Sequence, residues 1–296
     1  MSENVANLRY KITSAQTLGA VVRIMKIMAS SNISQYENAV RSLDDYYRTV
    51  QLGLSACFLQ SDALEVSQNS YQHSTPAIGV IIFGSDQGLV GQFNEAMVAF
   101  VADTLASFPG EKIVLTVGDR LKALLAETEL VAKSDFMLPN SVKAITALVG
   151  KVLLEIEIQQ EHQQINQVYL FHHRPESNSV YCPTSQQLLP LDSTWRKNLT
   201  SIHWPSINLP EVMPKRQRTL SAFVREYLFV SLFRACAESL ASENASRLAA
   251  MQRAEKNIDE LQYELNRAFY RLRQSDIDEE LFDVLSGFEA LSKPVD

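Results

Sequence analysis

Apolar side chains recur in a heptad pattern along the first sixty residues of the chain. The pattern consists of two interleaved series, and fourteen of its sixteen positions are apolar or aromatic. A stripe with this spacing keeps facing one partner only if its helix supercoils around that partner. Residues 4–59 are therefore predicted to form one long helix of a coiled coil. The two series are Val5, Ile12, Gly19, Lys26, Ile33, Val40, Tyr47 and Leu54, and Leu8, Ala15, Val22, Ala29, Tyr36, Leu43, Val50 and Cys57.

A second apolar seam near the end of the chain supplies the partner helix. Because the first helix leads into the middle of the chain and the second leads out of it, the two are expected to run antiparallel. At about 1.5 Å per residue, a helix over 4–59 is roughly 80 Å long and one over 215–291 roughly 115 Å. We expect a rod with a domain at one end. The seam positions are Met251, Ala254, Ile258, Leu261, Leu265, Ala268 and Leu272, followed after a phase slip by Ile277, Leu281, Val284, Phe288 and Leu291.

Between the two seams, short apolar runs alternate with segments of helical periodicity. Ala77–Phe83 is too short for a helix and apolar throughout, as in strands that are buried on both faces. Strands that alternate with helices indicate crossover connections and a mainly parallel sheet. The predicted strands are 77–83, 112–117, 130–136, 168–172 and 179–189, and the predicted helices are 94–107, 119–127 and 142–160.

These patterns divide the chain into four segments. Residues 1–60 are predicted to be the N-terminal coiled-coil helix and 61–76 a polar linker rich in Ser and Gln. Residues 77–205 form a central Rossmann-like α/β domain, and 206–296 the C-terminal coiled-coil helix. The expected fold class is α/β, with a long antiparallel two-helix coiled coil attached to the central domain.

Composition narrows the range of partners. With 296 residues, 46% of them hydrophobic and 21% charged, the chain can bury a sizeable core. Its formal net charge of −7 lacks the basic excess of a general nucleic-acid binder, so we expect no nucleic-acid partner. No stretch approaches eighteen uninterrupted apolar residues, which predicts no transmembrane segment, and no signal-peptide pattern opens the chain. Three widely spaced cysteines suit buried thiols in a reducing compartment.

A glycine-rich loop, Gly84–Asn94, follows the first predicted strand and precedes a helix. This is the context in which backbone amides bind phosphate groups. The spacing fits neither the G-x-G-x-x-G fingerprint nor a Walker loop, and the next strand offers no acidic residue for a ribose. We therefore favour a structural role for the glycines, in a tight turn with close packing, and predict no cofactor.

Other candidate chemistry is sparse. His162, His172, His173 and Cys182 have no carboxylate spaced to complete a metal site, and the chain lacks both a G-x-S-x-G elbow and a two-histidine metal helix. We predict no metal site and no catalytic residue.

Lys26 and Gly19 interrupt the first seam. Glycine weakens a helix by about 1 kcal/mol relative to alanine, so a local break in helix pairing is expected here. Two interpretations of Lys26 stay open: its ammonium group extends past the seam into solvent, or it contacts a partner.

Several motifs carry a resemblance to a known family. Leu8–Ile12 and Met25–Ser31 are similar to the first helix of that family, and Val80–Asn94 to its strand and following S-D-x-G-L-x-G-x-x-N loop. Tyr181–Leu191 is similar to the end of its middle domain. The likeness is strongest in the second helix. Together these motifs, which extend over nearly the whole chain, closely resemble the gamma subunits of F-type ATP synthases. The matching segments of the second helix are Ala241–Met251, Leu265–Ala268, Arg273–Gln274 and Ile277–Phe288.

Two departures from the family pattern indicate a divergent branch. The first helix has Leu18–Val22 where the family usually carries a lysine-rich turn, and Phe269–Leu272 form an insertion of four residues, about one helical turn, before Arg273. The insertion puts the usual register of contacts with a surrounding ring in question. The sequence leaves open whether the chain serves a housekeeping or an alternative ATPase complex, transports protons or sodium, and mainly makes or hydrolyses ATP.

The resemblance implies a non-catalytic central rotating stalk that couples ion flow through the membrane c-ring to ATP synthesis or hydrolysis in the beta subunits. Its coiled coil is expected inside a ring of three alpha and three beta subunits, and its α/β domain on the c-ring with the epsilon subunit. The complex is expected at the cytoplasmic face of the bacterial inner membrane, with this chain as a peripheral component.

The resemblance also assigns contact residues. Two groups are implied, one facing the alpha and beta subunits and one at the foot of the stalk. Those facing the alpha/beta ring are Met25, Lys26, Arg247, Arg273, Gln274, Asp278 and Glu280, and those facing the c-ring and epsilon are Gln87, Gly88, Leu89, Val90, Gly91 and Gln92.

Two other functions stay open from the residues alone. One is a nucleotide- or metabolite-binding enzyme that uses the loop Gly84–Gly91, with the helices as dimerisation arms. The other is a coiled-coil scaffold. A stalk predicts one copy per complex, whereas a scaffold predicts self-association.

Overall fold

The computed structural model describes residues 4–59, 77–128, 130–162, 165–176, 180–191, 193–204, 206, 208 and 216–292. The predicted linker 61–76 lies outside the described residues. The elements in chain order are α1 (Val5–Leu59), β1 (Ala77–Phe83), α2 (Phe93–Ala106), β2 (Lys112–Val117), α3 (Asp119–Leu125), β3 (Ala132–Phe136), α4 (Val142–Glu161), β4 (Ile165–Arg174), β5 (Cys182–Leu189), α5 (Ser193–Thr200) and α6 (Arg216–Ser292).

The chain divides into two compact units, and both long helices contribute to each. The first unit comprises Met1–Met28 and Leu248–Asp296, and the second Ala29–Arg247. Within each unit the segments of α1 and α6 run antiparallel. In the first unit Arg9 lies over the ring of Phe269 and Lys26 pairs with Glu255.

The second unit shows the same antiparallel order. Asn32 meets Asn244 and Asp44 meets Arg234. All sixteen predicted seam positions of α1 are buried or half-buried, so that prediction is confirmed.

A five-stranded sheet with the order β3-β2-β1-β4-β5 forms the centre of the second unit. The first four strands are parallel, and β5 pairs antiparallel with β4. The α/β fold class predicted from the alternating pattern is confirmed. The helix α5, which is short and mostly polar, was not predicted; its Trp195 packs against Tyr227 with ring centroids 4.8 Å apart.

Strand β1 is buried on both faces, as its apolar sequence predicts. Ile81 and Phe83 face a core shared with α4, α1 and α6. Ile78, Val80 and Ile82 face the opposite core, which is shared with α2 and α3. The coiled-coil segments of the second unit are therefore one layer of the sheet's own core.

In the first unit, α1 and α6 stay packed where a break was expected. A Cβ added at Gly19 would lie 3.4 Å from Ile258 Cγ2, so the two helices are in ordinary contact there. Val22, Met251 and Ile258 form a buried cluster beside it. The expected local break in pairing is therefore wrong, because the small residue lets α6 approach closely and Lys26 finds a partner within the chain.

The predicted seam of α6 needs two corrections. Leu261 is 47% exposed, and Gln262 lies in the seam beside Gly19 in its place. Beyond Leu272 the predicted stripe does not pack within the chain: Ile277, Leu281, Val284 and Phe288 are all more than half exposed. The physical reason is length. Helix α6 has 77 residues against 55 for α1, so its last turns extend past the start of α1.

Among the described residues, no helix combines the length and the apolar character that a membrane span requires.

Candidate functional site

The loop that follows β1 is fixed by side chains of its own neighbourhood. The Asn94 side chain accepts a hydrogen bond from the Ser85 backbone N–H at 2.9 Å and donates one to Ser85 Oγ at 2.8 Å. Ser85 Oγ donates to the carbonyl of Gln87. Gly84 has no room for a side chain, because a Cβ there would lie 2.4 Å from Leu121 Cβ. The favoured structural interpretation of this glycine thus agrees with its packing.

Asp86 connects the loops that follow three neighbouring strands. Its two carboxylate oxygens accept hydrogen bonds from the backbone N–H groups of Asp119, at 3.0 Å, and Leu138, at 3.1 Å. Asp119 is the first residue of α3, so a carboxylate of the protein already occupies this helix N-terminus. A Cβ at Gly118 would lie 2.8 Å from the carbonyl oxygen of Ser85. Contacts within the chain therefore join the loops after β1, β2 and β3 at the carboxyl ends of these strands.

The second half of the loop presents exposed side chains on a firmly held backbone. Leu89 has a φ of 64° and is 62% exposed. Val90 is buried, and its carbonyl oxygen accepts a hydrogen bond from Ser246 of α6. The remaining residues of the predicted foot, Gln87, Gly88, Gly91 and Gln92, are exposed.

His173 contacts the first residue of α2 through a hydrogen bond and through its ring. Its Nε2 bonds to the carbonyl oxygen of Phe93 at 2.8 Å, and its ring packs against those of Phe93 and Tyr181. Burial lowers the pKa of His173 to about 4, although the bond to Phe93 opposes this shift. The ring is therefore neutral near pH 7. The carbonyl oxygen of His173 accepts a hydrogen bond from Ser242 of α6.

Arg247, a predicted ring contact, forms an internal ion pair one turn from the loop. Its Nη2 lies 2.6 Å from Glu243 Oε1, and both side chains are largely buried. Burial raises the pKa of Glu243, while the guanidinium of Arg247 acts in the opposite direction. The hydrogen bond from Ser246 to Val90 thus places the loop 87–92 beside Arg247. The family resemblance had assigned the loop to the c-ring and epsilon and Arg247 to the alpha/beta ring.

Lys26 and Met25 lie at the seam of the first unit. Lys26 Nζ is 2.5 Å from Glu255 Oε2, and Arg23 approaches the other oxygen of Glu255 at 3.6 Å. Met25 packs half-buried against the cluster of Val22 and Met251. Lys26 neither extends freely into solvent nor lacks a partner, because it bridges α1 to α6.

The four predicted contacts near the end of α6 have a different character. Arg273, Gln274, Asp278 and Glu280 are all exposed. Within the described part of the chain, none of them is joined to another side chain by an ion pair or a hydrogen bond. They are therefore available to a partner.

Two exposed apolar surfaces of the first unit were not predicted as surfaces. The outer face of α1 carries five side chains that are 48% to 67% exposed, and we call it the α1 outer face. At the end of α6 the four predicted stripe positions are 53% to 73% exposed, and we call them the α6 terminal stripe; Phe282 and Leu285 are exposed beside them. The length difference between the two seams was the signal in the sequence for the second surface. The α1 outer face consists of Leu18, Val21, Ile24, Ile27 and Met28, and the α6 terminal stripe of Ile277, Leu281, Val284 and Phe288.

The histidines of β4 point to different partners. His172 Nε2 lies 2.9 Å from Glu238 Oε2, whereas His173 bonds to Phe93. Cys182 is exposed, and His162 bonds to the carbonyl oxygen of Ile158 one turn before it. In the described ranges, no group of three or more side chains is arranged to hold a metal ion.

The family model described as ATP synthase matches residues 4–291. Three relatives are each named ATP synthase gamma chain. That of Ruthia magnifica is 22% identical, with 96% of this chain and 98% of the relative covered. That of Bacteroides fragilis is 24% identical, with the same two coverages, and that of Mesoplasma florum is 25% identical, with 97% and 99%.

Solved structures share the fold. The rotor of Euglena gracilis mitochondrial ATP synthase has a TM-score of 0.64 at 14% identity, with 92% of this chain and 98% of that chain covered. The central stalk of Tetrahymena thermophila mitochondrial ATP synthase has a TM-score of 0.55 at 21% identity, with 79% and 99% covered.

Proposed function

The chain belongs to the ATP synthase family, and from this membership we propose that it is the gamma subunit, the central rotating stalk of an F-type ATP synthase. It couples ion flow through a membrane c-ring to ATP synthesis or hydrolysis in the surrounding subunits. The chain is a peripheral part of that membrane complex.

The observation that carries this proposal is the exposure of apolar side chains on the first unit. Apart from Arg23 and Lys26, residues 18–28 of α1 are apolar or glycine on the seam and on the α1 outer face, and a helix with this much apolar surface is normally buried. The α6 terminal stripe adds a second surface of the same kind. Patches of this type mark protein interaction sites. A ring of alpha and beta subunits that encloses both helices supplies the missing partner.

Coupling follows from asymmetry. A two-helix shaft inside a ring with threefold symmetry touches three chemically identical sites differently, so each site has its own conformational equilibrium. Shifting one site from 1:99 to 99:1 takes about 5.5 kcal/mol of differential contact energy. Because linkage is reciprocal, a shaft angle that changes nucleotide affinity is itself changed by nucleotide binding.

We assign the contacts of the shaft as follows. Arg273, Gln274, Asp278 and Glu280, exposed at the end of α6, contact the alpha and beta subunits directly. Met25 and Lys26 act on the same contact indirectly, because they fix the packing of α1 against α6. Arg247 acts through its ion pair with Glu243. The loop 87–92 contacts the c-ring and the epsilon subunit. Its position beside Ser246 supports a fixed rather than a mobile contact.

We propose further that the chain has no catalytic activity of its own and that the complex lies at the cytoplasmic face of a bacterial inner membrane. The internal contacts of Asp86 support the first statement, because its carboxylate, in the loop that follows β1, is bound to backbone amides of the chain itself. Titration of the full chain with ATP in a calorimeter should show no binding. Micromolar affinity would favour the enzyme alternative.

Co-purification is the decisive experiment. The chain should be isolated with alpha and beta subunits of the same source, in a ratio of one to three to three by quantitative mass spectrometry. A paired variant sharpens the result. Leu281→Asp places a charge in the α6 terminal stripe and should lower recovery of the complex, whereas Lys122→Asp on the surface of the α/β domain should not. Self-association without alpha and beta subunits would favour a scaffold.

A further inference from the structure

Three buried polar side chains recur at every fourth residue along one stretch of α6. Glu238, Ser242 and Ser246 are 5%, 0% and 5% exposed, although polar side chains are usually found at the surface. Residues four apart lie on the same side of a helix, so the three form one row, which we call the α6 polar stripe.

The first member of the stripe is bound to the end of β4. His172 Nε2 lies 2.9 Å and Arg174 Nε 3.3 Å from Glu238 Oε2. The other carboxylate oxygen of Glu238 accepts a hydrogen bond from Arg234 of the preceding turn at 2.9 Å. Glu238 therefore connects α6 to two side chains of the sheet.

The two serines of the stripe bond to backbone carbonyls. Ser242 Oγ donates to the carbonyl oxygen of His173, in β4, at 3.3 Å. Ser246 Oγ donates to the carbonyl oxygen of Val90, in the loop that follows β1. Because β1 and β4 are neighbouring parallel strands, the stripe meets both at their carboxyl ends.

The apolar side chains around these bonds are mostly small, and Leu240 is the exception. Burial of apolar surface is favourable but has no preferred direction, and alanine has little side chain to interdigitate with a neighbour. Hydrogen bonds, by contrast, weaken steeply when their angle changes. The bonds of the stripe, rather than the apolar contacts, therefore select one rotational setting of α6. The small side chains, all in the core and at most 2% exposed, are Ala235, Cys236, Ala237 and Ala241.

The spacing of the three members fixes α6 in rotation as well as in position. They extend over about 12 Å of the helix, and successive members are offset by about 40° around its axis. A rotation of about 20° would displace an atom 3–5 Å from the axis by roughly 1–2 Å, enough to break a hydrogen bond. Because the members are offset around the axis, a shift along the helix cannot restore all three bonds together.

Two other buried serines of α6 lack such bonds. Ser231 and Ser239 are 5% and 1% exposed, and among the described residues neither Oγ has a hydrogen-bond partner. They belong to the same helix and the same unit as Ser242 and Ser246. The two pairs differ in whether the hydroxyl is bound to the sheet or its loop, so each substitution in the stripe has a matched control.

We propose that Ser242 and Ser246, together with Glu238, are positioning residues that fix the rotational setting of α6 on the sheet and pass rotation of the loop 87–92 to α6. The second part rests on the proposed function, in which this loop contacts the c-ring and the epsilon subunit. Rotation imposed on the loop reaches Val90, whose carbonyl oxygen is bound to Ser246. Ser242 and Glu238 keep α6 aligned with β4 during this movement.

The first test measures the setting of α6 in the isolated full-length chain by pulsed electron paramagnetic resonance. One spin label is attached to the native Cys182, exposed on β5, and the other to an introduced thiol, Ser221→Cys, on an exposed position of α6. Cys57 and Cys236 are buried and should not react with the label. The labelled chain without further changes is the parent.

In the double variant Ser242→Ala, Ser246→Ala, the distance distribution should broaden or shift by about 3 Å, because a label roughly 8 Å from the helix axis moves that far in a rotation of about 20°. The control variant, Ser231→Ala with Ser239→Ala, also removes two buried hydroxyls from α6. It should keep the distribution of the parent.

The second test uses the complex with alpha and beta subunits and the c-ring, reconstituted in liposomes. ATP hydrolysis and ATP-driven ion uptake are measured on the same vesicles, with a pH-sensitive and a sodium-sensitive dye. In the double variant of Ser242 and Ser246, the number of ions transported per ATP should fall about twofold or more, the smallest change expected for a lost hydrogen bond. A loss of stability alone lowers both rates in proportion and leaves this ratio unchanged, as should the control variant.

The outcomes separate the two parts of the proposal. An unchanged distance distribution in the double variant of Ser242 and Ser246, or an equal change in the control, overturns the positioning role. A changed distribution with the parent's transport ratio in an assembled complex overturns the passage of rotation. If the parent chain does not assemble with alpha and beta subunits, the proposed function fails together with the second part, and the distance measurement still decides the first.

Discussion

Two stretches of α6 both carry large apolar side chains but lie in opposite environments. From residue 226 to 247, nearly every apolar side chain is buried against the sheet or α1. From residue 273 to 288 every side chain is exposed. The first stretch is stabilised by contacts inside the chain, whereas the second leaves its apolar side chains exposed for the subunits that we propose as its partners. One continuous helix thus serves both folding and assembly.

The largest expected difference comes from deleting the same atoms in the two stretches. Leu232→Ala empties a fully buried site and should lower the free energy of unfolding by about 2–5 kcal/mol. Leu281→Ala should change it by no more than about 0.5 kcal/mol in the isolated chain. Urea unfolding followed by circular dichroism measures both. Equal losses would mean that the terminal stripe packs within the free chain.

A second prediction concerns pH and the buried second unit. The pKa of His173 is about 4 when folded, against 6.5 for a free histidine. A depressed pKa means that the unfolded chain binds more protons, so stability is complete above pH 6.5 and falls as the pH drops toward 4. The loss is about 3 kcal/mol.

His173→Gln keeps a donor for the Phe93 carbonyl but cannot titrate, so it should flatten this decline. Both tryptophans, Trp195 and Trp204, lie in the second unit, and their fluorescence during urea unfolding reports on it alone. Above pH 7 the two proteins should show the same pH dependence, because His173 is neutral there in both the folded and the unfolded state. A variant that still loses stability in parallel with the parent between pH 6.5 and 4 would assign the decline to other groups.

Alanine substitutions at two glycines of α1 test how tightly each unit is packed. A Cβ at Gly53 would overlap the Phe223 ring, 2.3 Å from Cε1, so Gly53→Ala should destabilise the second unit by about 1–3 kcal/mol. At Gly19 the nearest atom is 3.4 Å away, and alanine is the better helix former. Gly19→Ala should therefore stabilise the first unit by up to about 1 kcal/mol. Thermal unfolding followed at a helical wavelength checks both, and a loss at Gly19 would show tighter packing of α6 than described.

The smallest effect on stability belongs to the proposed contacts. Arg273→Ala combined with Gln274→Ala should leave unfolding and assembly unchanged, because both side chains are exposed and unpaired among the described residues. The ATPase rate of the complex, or its coupling to ion transport, should fall, since charge-assisted bonds at such a contact are about twice as strong as neutral ones. Lys122→Ala, which removes a surface pair with Asp135, should change neither. A double variant at the full rate would place the contact elsewhere on α6.

The sequence predicted the parts of the fold that depend on local pattern. The α1 seam was predictable because its burial repeats over sixteen positions, and β1 because six of its seven residues are apolar and the seventh is glycine. Leu261 was assigned to the seam because it continues the heptad spacing of Ala254 and Ala268. The space beside Gly19 favours Gln262 there, and that space depends on how closely two helices distant in sequence approach.

The candidate site was less predictable, because its contacts are not local. Asp86 binds amides that lie 33 and 52 residues further along the chain. The approach of Ser246 to Val90 spans 156 residues. No periodicity in the sequence encodes these pairings. The α6 terminal stripe was recognised as apolar. The pattern alone does not distinguish a side chain that packs within the chain from one that stays exposed in the isolated chain.

The different lengths of α1 and α6 have a mechanical consequence. Where two helices are joined by a seam, a twisting load is shared between them and resisted by their contacts. The last turns of α6 have no second helix of this chain beside them, so any torque applied there is borne by the backbone hydrogen bonds of a single helix. A single helix twists further under a given torque than two helices that are packed together. Elastic deformation should therefore concentrate in these turns, at the end of α6 farthest from the sheet in sequence.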